Sequence, residues 1–372
     1  MDKRQYWVGF NLVKGIGAVR LQALISHFGD LQTAWQAAPQ QLVEAGLSPK
    51  LVERFVQMRA ATDLQKTWDQ IAAQGITVLT WDDAAYPQRL RIIEQPPPVI
   101  YVRGELLPED DWAVAIVGTR RVTPYGRQIT EEVAAVLARN GISVVSGLAR
   151  GVDAVAHQVA VKNGGRTLAV LGCGVDRIYP PEHRALADQM MTCGAILSDY
   201  APGTPPDSAN FPPRNRIISG LSMAVVVIEA GETSGALITA EFAAEQGREV
   251  FSVPGSIFAP QSKGTNRLIQ NGARPMLDAR DVLDVLNLAR MPQQRVARAS
   301  LPPEPTEAMI LQALGDEPVH VDELRARTGL PVEKVSATLV MMELKGQARH
   351  VGGMQYVAVR EEQAGYSINP TN

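Results

Sequence analysis

At 372 residues the chain has room for two or three domains of roughly 150 residues each and for a large buried core. Its composition, 45% hydrophobic and 20% charged, excludes wholesale disorder, and it lacks the run of about 18 apolar residues that a membrane-spanning helix needs. A net charge of −3 excludes a histone-like polycation, yet 28 Arg against 8 Lys leaves room for a local arginine patch suited to phosphate or carboxylate.

Residues 1–80 read as short helices. LVKGIGAVRLQALISHFGD gathers Leu12, Val13, Ile16, Val19, Leu21, Leu24 and Ile25 about a tight GIG turn, and QLVEAGLSPKLVERFV repeats helix, glycine turn, helix. This is the pattern of a helix–hairpin–helix or SAM-like domain. Its turn amides either grip a phosphate or serve only to reverse the chain. Residues 81–111, with YPQRLRIIEQPPPVIYVRGEL, read as an extended connector because three successive prolines fix φ and break a helix.

Residues 112–286 alternate apolar strands with amphipathic helices. WAVAIVG, ISVVSG, TLAVLG, AILSDY, AVVVIEA, EVFSVPG and ARPML are short and β-rich, as buried parallel strands are. YGRQITEEVAAVLARNG and ALITAEFAAEQG are helical and end on glycines suited to a C-cap. Repeated βα units predict a Rossmann-like, doubly wound parallel sheet, in which ligands bind outside the carboxyl ends of the strands. Residues 287–305 read as a Pro-rich linker. Three helices and a Gly-tipped hairpin over 306–359 predict a winged helix, and 360–372 a tail. Cys173 and Cys193, with five scattered histidines, have neither zinc nor disulfide spacing. The N-terminus lacks the basic and apolar segments of a secretory signal, so a metal-free cytoplasmic protein is expected.

The post-strand turns carry the chemistry. The first, GTRRVTPYG, has Gly118 but not GxGxxG, and Arg120 and Arg121 stand where a pyrophosphate would need glycine; a nicotinamide cofactor is disfavoured and a phosphodiester favoured. In SGLARGVDAVAHQ, Gly147 and Gly151 would let a ligand near the backbone. Asp153 would cap the helix, and His157 would pack rather than act as a base. GCGVDRIYPPEHR offers the flat face of Tyr179 with Arg177 and Arg184. NFPPRNRIISGLS sets Phe211 beside Arg214, Asn215 and Arg216, the aromatic-plus-arginine combination that single-stranded nucleic acid requires. In EAGETSGALITAE, Gly231, Ser234, Gly235 and Thr239 form an anion cradle at a helix start, and Lys263, Gly264 and Asn266 repeat the theme.

GTRRVTPYG, SGLARGVD, FPPRNRIISGLS, SGALITAEFAAEQGREVFSVPG and KGTNRLIQNGA, in this order and spacing, resemble the DNA processing protein A (DprA/Smf) family over about 112–286. The helical domain before this core and the winged helix after it also correspond to attachments seen in that family. The resemblance implies an extended Rossmann core that binds single-stranded DNA without a cofactor. It further implies homodimerisation and loading of RecA recombinase onto incoming strands in natural transformation. Gly118, Thr119 and Arg120 match the family's Gly-Ser/Thr-Arg motif; Phe211, Arg214, Asn215 and Arg216 match Phe-Pro-x-Arg-Asn-Arg; Lys263, Gly264 and Asn266 match Lys-Gly-x-Asn. Arg184 matches more loosely a lysine after Tyr-Pro. As phosphate ligands, Arg120 and Arg214 are both expected to be dispensable for stability.

Two other readings compete. Nucleotide ribohydrolases of the LOG type carry a Pro-Gly-Gly-x-Gly-Thr-x-x-Glu loop that EAGETSGALITAE partly matches, with Glu241 at the carboxylate position. The diglycine and a second acid for an acid–base pair are missing. A duplex-reading regulator would use the winged helix, but residues 306–358 hold five basic against seven acidic side chains, a poor surface for a polyanion. A non-enzymatic single-strand binding protein is the reading the residues favour.

Overall fold

The computed structural model describes residues 2–286, 305–314, 319–344 and 348–358. All but the last residue of the 287–305 linker, and the tail over 360–372, lie outside them. The chain divides into two compact units, Met1–Ala289 and Arg290–Asn372.

In the first unit, six helices precede the sheet: α1 (Arg4–Asn11), α2 (Ala18–Phe28), α3 (Leu31–Gln36), α4 (Pro39–Glu44), α5 (Pro49–Ala61) and α6 (Leu64–Ala73). Their core is aromatic. Phe10 stacks on Phe55 with ring centres 5.0 Å apart, and Trp35 meets both rings edge-on. Gly9 is small because a Cβ there would lie 2.6 Å from the Trp35 ring. Val19 is 71% exposed and stands outside the apolar cluster expected of it. At the GIG turn the carbonyls are capped by arginines: Arg20 donates to Gly15 O and Arg54 to Lys14 O. The helices share one continuous core with the sheet, and Tyr101 Oη donates to Asn11 Oδ1 at 3.0 Å.

The sheet runs β1-β2-β6-β5-β4-β3-β7-β8-β9. Its strands are β1 (Thr77–Thr80), β2 (Val99–Gly104), β3 (Ala113–Val117), β4 (Ser143–Ser146), β5 (Thr167–Val170), β6 (Ala195–Ser198), β7 (Ala224–Val227), β8 (Glu249–Ser252) and β9 (Arg274–Pro275). From β6 to β9 every neighbour is parallel, and β3 to β7 are buried throughout, which is why they read as nearly continuous apolar runs. The stretch read as a connector over 81–111 holds β2, whose Val99–Val102 are buried; β1 and β2 extend the sheet antiparallel beyond β6. The triple proline ends immediately before β2, so it introduces the strand rather than marking a structureless passage.

The short helix α7 (Gln88–Arg91) stands between β1 and β2, and the crossovers are α8 (Pro124–Arg139) between β3 and β4, α9 (Val152–Lys162) between β4 and β5, α10 (Arg184–Met190) between β5 and β6, and α11 (Phe211–Gly220) before β7. α12 (Gly235–Glu245) and α13 (Lys263–Gln270) follow β7 and β8, and α14 (Asp281–Val285) closes the unit. α8 and α12 end as expected, with left-handed Gly141 and Gly247 following them. Strand order builds outward from β3 through β4 and β5 to β6, then resumes on its other side at β7. The connections leaving β3 and β7 diverge and open a crevice between them, the topological switch point of a doubly wound sheet.

The second unit has helices Pro305–Ala313, Val321–Thr328 and Val332–Leu344 with a sheet ordered β10 (Val319–His320), β12 (Gln355–Ala358), β11 (Ala348–Gly352). Ile310, Leu324, Val335, Leu339 and Met342 form its core. This is the winged-helix arrangement the sequence predicts.

Candidate nucleic-acid interface

The crevice at the switch point is a cleft of about 690 Å³. The turn after β3 supplies Gly118, Thr119, Arg120 and Arg121, and the turn after β7 supplies Gly231, Thr233, Ser234 and Gly235. Two contacts fix these turns to one another. Thr119 N donates to Glu229 O at 2.7 Å, and the buried Glu229 carboxylate accepts from both the amide and the hydroxyl of Thr123. Ser234 caps α12 by accepting from Ala236 N. The start of α12, with Gly235 and Ala236, therefore faces the cleft with the positive end of its dipole, as do Phe211 and Pro212 at the start of α11.

Beneath the rim lies a buried charged layer. Arg214, 5% exposed, donates to the carbonyls of Gly147 and Val170 and, through Nε, to Asn215 Oδ1 at 3.2 Å. Asp153, 6% exposed, accepts from the amides of Gly147 (3.1 Å) and Ala149 (3.3 Å). Burial pushes the Asp153 carboxyl up, opposed by the Arg214 charge and the two amides, and burial pulls Arg214 down from its ordinary value. The glycines follow from this layer. A Cβ at Gly147 would lie 2.7 Å from the Arg214 guanidinium, and one at Gly172 would lie 2.8 Å from the Phe211 ring. They make room for the protein's own arginine and phenylalanine, where for Gly147 the sequence suggested approach of a ligand. Gly151 has φ +78° and tolerates no Cβ against Thr119 O, so the first two turns touch backbone to backbone.

Two expectations change here. Asp153 is not the cap of α9, which begins after Gly151; it lies in the first helical turn and ties back the turn before it. Arg214 is a buried cation bonded to two backbone carbonyls, where a surface phosphate ligand was expected. Asn215 lines the cleft with its amide nitrogen donating to Gly235 O at 3.2 Å, joining α11 to α12. His157 packs as expected: it is fully buried, its Nδ1 is 2.7 Å from Thr167 Oγ1, and burial lowers its pKa to about 3.

Above that layer the rim carries free charge and flat rings. Phe211 stacks with Tyr179 at 5.8 Å and 28°, and the Arg120 guanidinium carbon lies 5.6 Å from the Phe211 ring centre. Arg120 and Arg121 are exposed and form no ion pair among the described residues. Cys173 is no nucleophile: it is 1% exposed, its Sγ donates to Arg177 O at 3.1 Å, and burial pushes its pKa up to about 11.

Comparison with known proteins identifies this arrangement. The family model described as DNA recombination-mediator protein A matches residues 77–287, and that of the DprA winged-helix domain matches 294–354. Protein Smf of Synechocystis sp. is 37% identical over 95% of this chain and 98% of its own. The chain belongs to the DprA/Smf family. The Bacillus subtilis DprA is 44% identical over 57% of this chain and 72% of its own. Among solved structures, Streptococcus pneumoniae DprA has a TM-score of 0.66 at 33% identity, covering 75% of this chain and 97% of that one. Helicobacter pylori DprA, described for its single-stranded DNA binding mode, has a TM-score of 0.52 at 32% identity, covering 57% and 95%.

Of the residues matched to DprA motifs, the cleft gathers Gly118, Thr119, Arg120, Phe211, Arg214, Asn215, Ser234 and Gly235. The others stand elsewhere. Arg216 turns to the opposite side of α11 and pairs with Asp199 at 3.0 Å. Lys263 opens α13 with its ammonium 3.9 Å from Glu232, and the Gly264 amide donates to Ala230 O at 2.8 Å. Asn266 brackets Gly255, accepting from its amide at 3.1 Å and donating to its carbonyl at 3.0 Å. Arg184 is exposed at the start of α10, outside the cleft. The buried Asp153–Arg214 layer was not read from the sequence; the small residue at Gly147, six positions before an acid, is the trace it leaves there.

Proposed function

We propose that this DprA-family chain binds single-stranded DNA in the switch-point cleft, as a homodimer, and hands strands to RecA recombinase. The observation that carries this is the rim: two arginines without carboxylate partners beside the stacked Tyr179 and Phe211. Unpaired guanidinium groups suit phosphates, the exposed ring of Tyr179 suits any base, and phosphate contacts position a strand without reading its sequence. The recombination-mediator family and the described binding mode of the Helicobacter pylori relative support the same reading.

Hydrolysis is the weaker reading. Glu241 lines a separate groove between α12 and α13, and the acid in the cleft, Asp153, is held by two amides beside Arg214. The regulator reading is also weaker, since the third helix of the winged unit exposes Val340 and Met341 rather than a basic face. The test is a paired titration of labelled single-stranded and blunt duplex oligonucleotides. Single strands should bind at least about tenfold tighter, with affinity falling as salt rises; equal affinity would overturn the proposal. RecA filament assembly on strands pre-coated with a single-strand-binding protein, with and without this chain, tests the hand-over.

A further inference from the structure

Between β8 and α13 the chain forms a loop whose tip is Ser256-Ile257-Phe258. Phe258 is 87% exposed and Ile257 73% exposed. Exposure of two adjacent large apolar side chains is unfavourable in water, by about 25 cal/mol per Å² relative to burial, and here the loop is braced to keep them out. Asn266 holds both the amide and the carbonyl of Gly255. Tyr125, at the start of α8, donates its hydroxyl to Pro254 O at 2.9 Å. Within the tip, Phe258 N donates to Ser256 Oγ and Ala259 N to Ser256 O.

The loop adjoins the cleft. Gln261 O accepts from Ala230 N at 2.8 Å, and a Cβ on Gly231, a cleft-lining residue, would lie 3.6 Å from Pro260 O. It leaves the carboxyl end of β8, next to the carboxyl end of β7 that forms the cleft wall. A strand held at Arg120 and Phe211 can therefore continue past Gly231 and meet the tip.

We propose that Phe258 is a second base-stacking site for single-stranded DNA, held out by Asn266 and Tyr125 and supported by Ile257. The inference rests on the reading of the cleft as the strand-binding site. A nucleobase fits better than a second protein. One phenylalanine and one isoleucine, flanked by Ser256 and Pro260, fall far short of the roughly 800 Å² per partner of a stable protein interface. One exposed ring face is what a single base needs. Asn266, a motif residue with both ends of its amide committed to Gly255, then acts as a positioning residue for the tip.

The test uses the full chain, a labelled oligothymidylate of about 20 nucleotides, and a matching abasic oligomer with the same phosphates and no bases. Phe258→Ala should weaken oligothymidylate binding about tenfold, leave abasic binding unchanged, and leave the salt slope unchanged, because a base contact and no phosphate contact is lost. Phe258→Trp should bind as wild type does. Arg120→Ala should weaken binding to both oligomers. If Arg120→Ala weakens both while Phe258→Ala binds oligothymidylate as wild type does, the tip is not a stacking site although the cleft reading stands. Equal losses on the two oligomers with Phe258→Ala would also overturn the proposal, as would a DNA-free change in oligomeric state by light scattering with unchanged affinity. If wild type binds neither oligomer, or Arg120→Ala changes nothing, the cleft reading fails and this inference with it.

Discussion

Two concavities of the first unit organise their charges in opposite ways. The groove between α12 and α13 measures about 880 Å³ against about 690 Å³ for the switch-point cleft. It holds Glu232, Glu241 and Glu249 facing Arg248, Arg267 and Arg274, and Arg274 pairs with Glu249 at 2.8 Å. Its charges balance within the protein. In the smaller cleft the acid and one arginine are buried together as a floor, and Arg120 and Arg121 remain unpaired on the rim. The proposed binding site is thus chosen by uncompensated charge beside flat rings, not by volume.

The comparison breaks first if the floor proves dispensable. Arg214→Ala removes a buried cation that serves two carbonyls and leaves Asp153 uncompensated, so urea unfolding should show a loss on the order of 3–5 kcal/mol. Arg120→Ala should stay within about 0.5 kcal/mol of wild type in the same assay. Comparable stability for the two variants would remove the distinction between floor and rim.

A smaller effect should appear with acid. His157 is held neutral by burial at a pKa of about 3, whereas in the unfolded chain it titrates near its ordinary 6.5. Between these values the unfolded state binds the extra proton, so stability is complete above about pH 6.5 and falls as pH is lowered. The loss should approach about 1.4 kcal/mol per pH unit well below 6.5. His157→Gln should flatten this slope between pH 6.5 and 5, above the range where carboxylates dominate. An unchanged slope would show that His157 is not the group responsible.

The smallest change should come from the other unit. Ending the chain near residue 290 leaves the first compact unit whole. Single-strand affinity should then stay within about threefold, given the acid-rich balance of the winged helix. A loss above about a hundredfold in a protein that still folds would relocate the site.

Much of this was legible before the fold was known. Strands β3 to β8 announced themselves because both faces are covered, and a parallel sheet then put the post-strand turns on one edge. What remained hidden depends on direction. Arg214 and Arg216 are two positions apart on α11, about 200° around a helix, so they must face different ways. Nothing in FPPRNR says that the first goes into the floor and the second to Asp199. Likewise Gly147 reads as an opening for a ligand, whereas Arg214, distant in sequence, occupies that space. β2 escaped notice because the prolines before it dominate the local pattern, and a strand added antiparallel to a parallel sheet leaves no βα signature.

The central claim is that unpaired charge on the cleft rim, and not the larger groove, holds the strand. The direct measurement is single-strand affinity at several salt concentrations for wild type, Arg120→Ala and Arg274→Ala. Arg120→Ala should bind about tenfold more weakly, with the slope of log K against log salt reduced by about one unit, and Arg274→Ala should match wild type in both. The account is contradicted if Arg274→Ala loses affinity and slope while Arg120→Ala keeps them.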